Sequence, residues 1–178
     1  MAKYSVKPLE VESVFGSDEI IVSKTDLKGH LIYANDVFCR VAEMSTADVL
    51  GQPHSIIRHP DMPRAVFKFM WERIQSGHEI FAYVKNMAKS GKYYWVLAHV
   101  TPSYDSSGKM DGYHSNRRRP DPTAVRTIEA IYKDLLAIEA AHTNAKQGLE
   151  ASTKALHDKL AELGQSYNEF VWSLVGIK

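Results

Sequence analysis

Gln52-Pro53-His54-Ser55-Ile56-Ile57-Arg58-His59-Pro60-Asp61-Met62-Pro63-Arg64, followed at once by Ala65-Val66-Phe67-Lys68-Phe69-Met70-Trp71, is the stretch on which the reading of this chain turns. Its prolines stop the backbone from running on as regular helix or strand, and between them it concentrates Arg58, His59 and Asp61. Charged groups held on an irregular loop serve a site or shape the loop. Residue chemistry leaves both open: Asp61 can cap the helix that opens near Pro63, and Arg58 can pair with Asp61.

Downstream, Pro63 to Ser76 predicts a helix with Val66, Phe67, Met70, Trp71 and Ile74 on one side, ended by Gly77. Upstream, Ile20 to Thr25 and His30 to Ala34 flank a turn at Asp26-Leu27-Lys28-Gly29 and predict a β-hairpin. Asn35 or Asp36 caps a short helix over Val37 to Ala42, and Ser45 opens another over Thr46 to Leu50. Helices this short need a sheet to pin them. Beyond Gly77, aromatic and β-branched residues crowd two strands, Ile80 to Met87 and Tyr93 to Thr101, and a last strand runs from about Gly112 to Arg118. The sum is an α+β domain, with helices on one face of a five-stranded antiparallel sheet.

Composition narrows the function classes. A hydrophobic fraction of 44%, a charged fraction of 24% and a net charge of +1 argue against disorder and against a nucleic-acid-coating surface. One cysteine, Cys39, excludes an internal disulfide and a cysteine-based zinc cluster. No stretch reads as a signal peptide or a membrane span, so the expectation is a cytoplasmic protein. Nucleotide-binding glycine fingerprints, the zinc-protease helix and the serine nucleophile elbow are all missing, so no enzyme is expected.

The order of elements resembles a PAS domain, and the motifs resemble the branch found in bacterial aerotaxis receptors. The residues that carry this are Thr25-Asp26-Leu27, Ala34-Asn35-Asp36-Val37-Phe38, Gly51-Gln52-Pro53-His54, Arg58-His59-Pro60-Asp61-Met62-Pro63, Met70-Trp71, Val84-Lys85-Asn86 and Tyr94-Trp95-Val96. The resemblance covers about residues 18–120. It implies a non-covalently bound FAD used as a redox or oxygen sensor for chemotaxis signalling, with Arg58, His59, Asp61, Trp71, Asn86 and Asn35 as cofactor-binding residues. The residue types suit a flavin: Arg58 offers a fork for phosphate, Trp71 a flat face, and Asn86 both a donor and an acceptor.

Three other readings belong beside it. A photosensing flavin domain needs a cysteine where this chain reads Ile-Ile-Arg-His-Pro-Asp, and Cys39 lies earlier, in the first short helix. Haem held by one histidine draws on His54, His59, His78, His99 and His114, with His99 and His114 placed in strands expected to line the pocket. A cofactor-free interaction module fills its pocket with its own side chains.

Residues 1–17 read as a flexible lead, 18–120 as the sensor, and 121–178 as a helical segment. In the last, Ile128, Ile131, Leu135, Ile138, His142, Ala145, Leu149, Ser152, Leu156, Leu160, Leu163, Tyr167, Phe170 and Leu174 form a heptad-like stripe. It predicts one long helix, or two broken near Gly148, that either fold back on the sensor or serve a homodimer or partner. By the resemblance, the partner is a separate membrane chemoreceptor or signalling protein, with Phe170 to Val175 as an apolar docking end.

Overall fold

The computed structural model describes residues 6–175. Its strands are β1 (Ile21–Asp26), β2 (Leu31–Ala34), β3 (Ile80–Met87), β4 (Tyr93–Tyr104) and β5 (Met110–Arg118). They form one antiparallel sheet in the order β2-β1-β5-β4-β3. The helices are α1 (Asp36–Ala42), α2 (Thr46–Val49), α3 (Arg64–Gln75), α4 (Pro122–Ala140), α5 (Ala145–Leu163) and α6 (Tyr167–Leu174), and His54–Ile57 makes one 3-10 turn. The hairpin, both short helices, the longer helix and the three later strands therefore stand where the sequence places them.

Local chemistry explains the short elements. Asn35 caps α1 by accepting from Phe38 N, and Ser45 and Asp48 form a reciprocal capping box on α2. The apolar sides of both close on the core through Phe38, Val41, Ala42 and Val49. The helix α3 departs from expectation at its N-terminus. Pro63 stands at the cap and offers no side-chain bond. Asp61 faces away and pairs with Lys85 at 3.0 Å, and Arg58 donates to Met62 O, so Asp61 neither caps α3 nor pairs with Arg58.

What holds the N-terminus of α3 is a residue of α4. Glu139, 8% exposed, accepts from Ala65 N at 3.1 Å, Arg64 Nε at 2.9 Å and Ser152 Oγ at 3.0 Å. A carboxylate at this position satisfies a free backbone donor and complements the positive end of the helix dipole. It also ties α3, α4 and α5 together.

Residues 122–175 fold back on the sensor in three helices, not one or two. Tyr132 of α4 donates to Tyr83 O at 2.7 Å and lies against Trp95, on the sheet face opposite α3. The helix α5 runs beside α4 and α3, and α6 packs on β3. The breaks fall at residues 141–144, where Asn144 caps α5 with bonds from Lys146 N and Gln147 N, and at Gly164 with φ +63°. Gly148, the expected break, sits inside α5. A Cβ there would lie 2.7 Å from Glu139 O, so glycine lets α5 approach the end of α4. Ile128, Leu135, Leu156, Leu160, Tyr167, Phe170 and Leu174 are buried within the chain itself, which accounts for much of the stripe. Within the lead, residues 6–17 are tied along the sensor by Tyr93 N to Val11 O, Ser13 N to Tyr93 O and the buried Phe15.

Candidate functional site

Strand alternation sends Ser23 and Thr25 of β1, Val84 and Asn86 of β3, Ala98 and Val100 of β4, and Tyr113, Ser115 and Arg117 of β5 to one face of the sheet. The helix α3 crosses that face, and Phe67, Met70 and Trp71 look down on it. Between them lies a cavity of about 270 Å³, closed at one side by His54 and Arg58 and open where Lys28, Pro53 and Ser55 are exposed. Trp71 is seated edge-on to Tyr113 and beneath the turn at Gly29, whose φ of +82° and 2.9 Å distance from Cβ to the indole admit no side chain.

Arg58, Trp71 and Asn86 are thus brought together. The backbone of Arg58 bridges to that of Asn86, and its guanidinium lies over the Phe67 ring at 4.1 Å. Burial lowers the Arg58 pKa. The other three expected residues do not line the cavity. His59 is buried beside the loop, accepting from Asp61 N through Nδ1, and burial and the Lys85 charge lower its pKa. Asp61 is more than half exposed and holds Lys85. Asn35 ties β1 to α1, accepting from Val22 N and Phe38 N and donating to Ile20 O.

The sequence reading did not single out the far end of the cavity. There Arg117, 3% exposed, donates through one nitrogen to Ser23 Oγ at 2.9 Å and to His54 Nε2 at 2.5 Å. Burial pulls its pKa down to about 10, and burial together with the Arg117 charge pulls that of His54 down to about 3. His54 is therefore neutral at physiological pH, with Nε2 accepting. The only sequence signal was the Arg117-Arg118-Arg119 run, where alternation turns the first inward.

The same alternation corrects the histidine expectation. His99 and His114 lie on the opposite face of the sheet. His99 stacks on Phe81 at 4.2 Å and bonds Glu79 at 2.7 Å. Among the described residues His54 is the histidine that lines the cavity, and Arg117 already occupies its Nε2. Cys39 sits on α1 near Thr46, away from the lining.

The lining fits a flat, hydrogen-bonding, electron-rich group. Aromatic and aliphatic side chains form its walls. Asn86 Nδ2, Ser115 Oγ and Arg117 Nη1 are buried polar atoms without a hydrogen-bond partner among the described residues, all on residues that line the cavity. An unmet buried polar group costs about 1–3 kcal/mol, which a ligand with matching acceptors recovers. A volume of about 270 Å³ suits a ring system. Any longer tail must leave by the open side near Lys28.

Residues 31–116 match the family model of the PAS fold, and this part of the chain is a PAS domain. A light-oxygen-voltage domain, from a study of its mechanism with a flavin analogue, superposes with a TM-score of 0.55 at 14% identity, covering 65% of this chain and 86% of that one, a likeness of fold. Over 120 residues, 67% of its length, this chain is 39% identical to the aerotaxis receptor of Escherichia coli, and its PAS domain is of that receptor's type. The nitrogen fixation regulatory protein of Klebsiella pneumoniae is 26% identical over 125 residues. The matched stretches make up 24% and 25% of those two proteins. Among the described residues no helix is long and apolar enough to cross a membrane.

Proposed function

We propose that this chain is a redox sensor whose PAS cavity holds FAD non-covalently and whose surface reports the cofactor's state to a chemotaxis receptor or related signalling partner. The observation that carries the reading is the set of unpaired buried groups on Asn86, Ser115 and Arg117, facing a flat-walled cavity in an aerotaxis-receptor-type PAS domain. When bound, the flavin supplies a reversible change of charge and protonation on a planar ring. Asn86 presents its amide to the ring's polar edge, while Phe67, Met70 and Trp71 cover one face and keep water out. Lys28, at the open side, and Arg58, in the wall beside Phe67, are the cations that suit the pyrophosphate. Asn35, His59 and Asp61 act on the pocket indirectly, through α1, the loop and Lys85.

A change in what Asn86 bonds reaches the surface by a short path. Asn86 shares β3 with Tyr83 and Lys85, and these touch α4 through Tyr132 and Glu129. The strand also supports α6. We place the partner on or beside these helices, or on a homodimer built from them.

The test is to purify the protein, release any chromophore by denaturation and identify it, then repeat with Asn86→Ala and Trp71→Ala. FAD in stoichiometric yield, lost from the variants while their folds persist, is the expected result. A colourless protein that does not take up added FAD would support the cofactor-free interaction module instead.

A further inference from the structure

Among the described residues the cavity lining contains three cationic side chains, Lys28, Arg58 and Arg117, and no carboxylate. They differ in how they are kept. Lys28 is exposed at the open side, and Arg58 donates to a carbonyl, Met62 O. Arg117 is enclosed with two neutral acceptors, Ser23 and His54, and its Nη1 has no partner among the described residues. An enclosed guanidinium without a counter-charge is costly, and a nearby anion relieves that cost.

We infer that Arg117 is the charge partner of the reduced flavin, so that the site favours the ring after it has gained a negative charge. This rests on the flavin reading given above. Ser115, adjacent on the same face of β5, and Asn86 supply neutral donors that serve both redox forms. Arg117 distinguishes them. On reduction, two electrons from an external low-potential donor and one proton from water are taken up, leaving one negative charge on the ring. The second proton is not needed, because the guanidinium offsets that charge. His54 cannot compete for the role: it is neutral, and its Nε2 lone pair is directed at Arg117.

The experiment titrates cofactor-free protein with FAD in air and, separately and anaerobically, with FAD reduced by dithionite. It compares wild type, Arg117→Met and Arg117→Lys. A charged hydrogen bond made only in one redox form changes the affinity ratio about tenfold to a hundredfold. Arg117→Met should shift the ratio toward oxidised FAD by at least about tenfold, and Arg117→Lys should restore most of it. An unchanged ratio in a folded Arg117→Met protein that still binds FAD overturns the inference and leaves the flavin reading standing. If wild type binds neither form, the flavin reading fails and the inference with it. A measurement on wild type alone decides the case should the variants not fold. Reduction of the holoprotein should take up one proton per two electrons throughout about pH 5–8, and uptake of two overturns the assignment.

Discussion

Truncating Glu139 should loosen the helical segment from the sensor and soften the wall of the cavity. The carboxylate receives bonds from Arg64 Nε, Ala65 N and Ser152 Oγ while almost wholly enclosed. Glu139→Ala strands all three donors. Breaking a buried ion pair costs about 3–5 kcal/mol, but Arg64 is 30% exposed and recovers some hydration, so about 3 kcal/mol is expected. Glu139→Gln keeps the shape and one acceptor oxygen, and should cost about 1–2 kcal/mol. For a chain of this size the alanine variant should melt about 6–12 °C lower. Urea unfolding followed by circular dichroism gives the energies. A cycle with Arg64→Ala isolates the pair. A loss below about 0.5 kcal/mol for Glu139→Ala would refute the reasoning, because a buried three-donor acceptor cannot be removed so cheaply.

Gly148→Ala should destabilise by about 1–3 kcal/mol, since its Cβ meets a backbone oxygen at 2.7 Å, and thermal melting reads this directly. Gly29→Ala should cost about 1–2 kcal/mol through its left-handed backbone and, by pushing Trp71, weaken cofactor retention in equilibrium dialysis. Asp61→Asn, which weakens the hold on the buried Lys85, should lower the urea midpoint without altering the bound chromophore's spectrum; a changed spectrum would show that Asp61 reaches the ligand. His54 has its folded pKa depressed to about 3, against an ordinary 6.5. Between those values the unfolded chain binds the extra proton, so stability falls as pH falls through that window. His54→Phe should flatten the part of the urea-midpoint slope seen between about pH 6 and 5, above the range of the carboxylates.

Most of the sensor was legible because its signals are local. The crowding of aromatic and β-branched residues in Ile80–Met87 and Tyr93–Tyr104, the turn at Lys28-Gly29 and the caps at Asn35 and Ser45 each depend on residues a few positions apart. The lining of the cavity was legible in part. Arg58, Trp71 and Asn86 meet in the cavity, but the loop straddles the edge strand β3, where Asp61 pairs with Lys85 and His59 with Asp61 instead. Arg117 escaped notice because its partners, Ser23 and His54, are 94 and 63 residues away. The helical segment misled for the same reason. Gly148 looks like a breaker, yet its smallness answers to Glu139 across the helix pair, and the real breaks follow from caps at Asn144 and Gly164.

The central claim is that the cavity holds a redox-active flavin, and an absorption spectrum of the purified protein before and after anaerobic dithionite tests it most directly. The account predicts an oxidised flavin spectrum that bleaches on reduction and returns with air. A Soret band that shifts on reduction, showing haem in place of flavin, would contradict it.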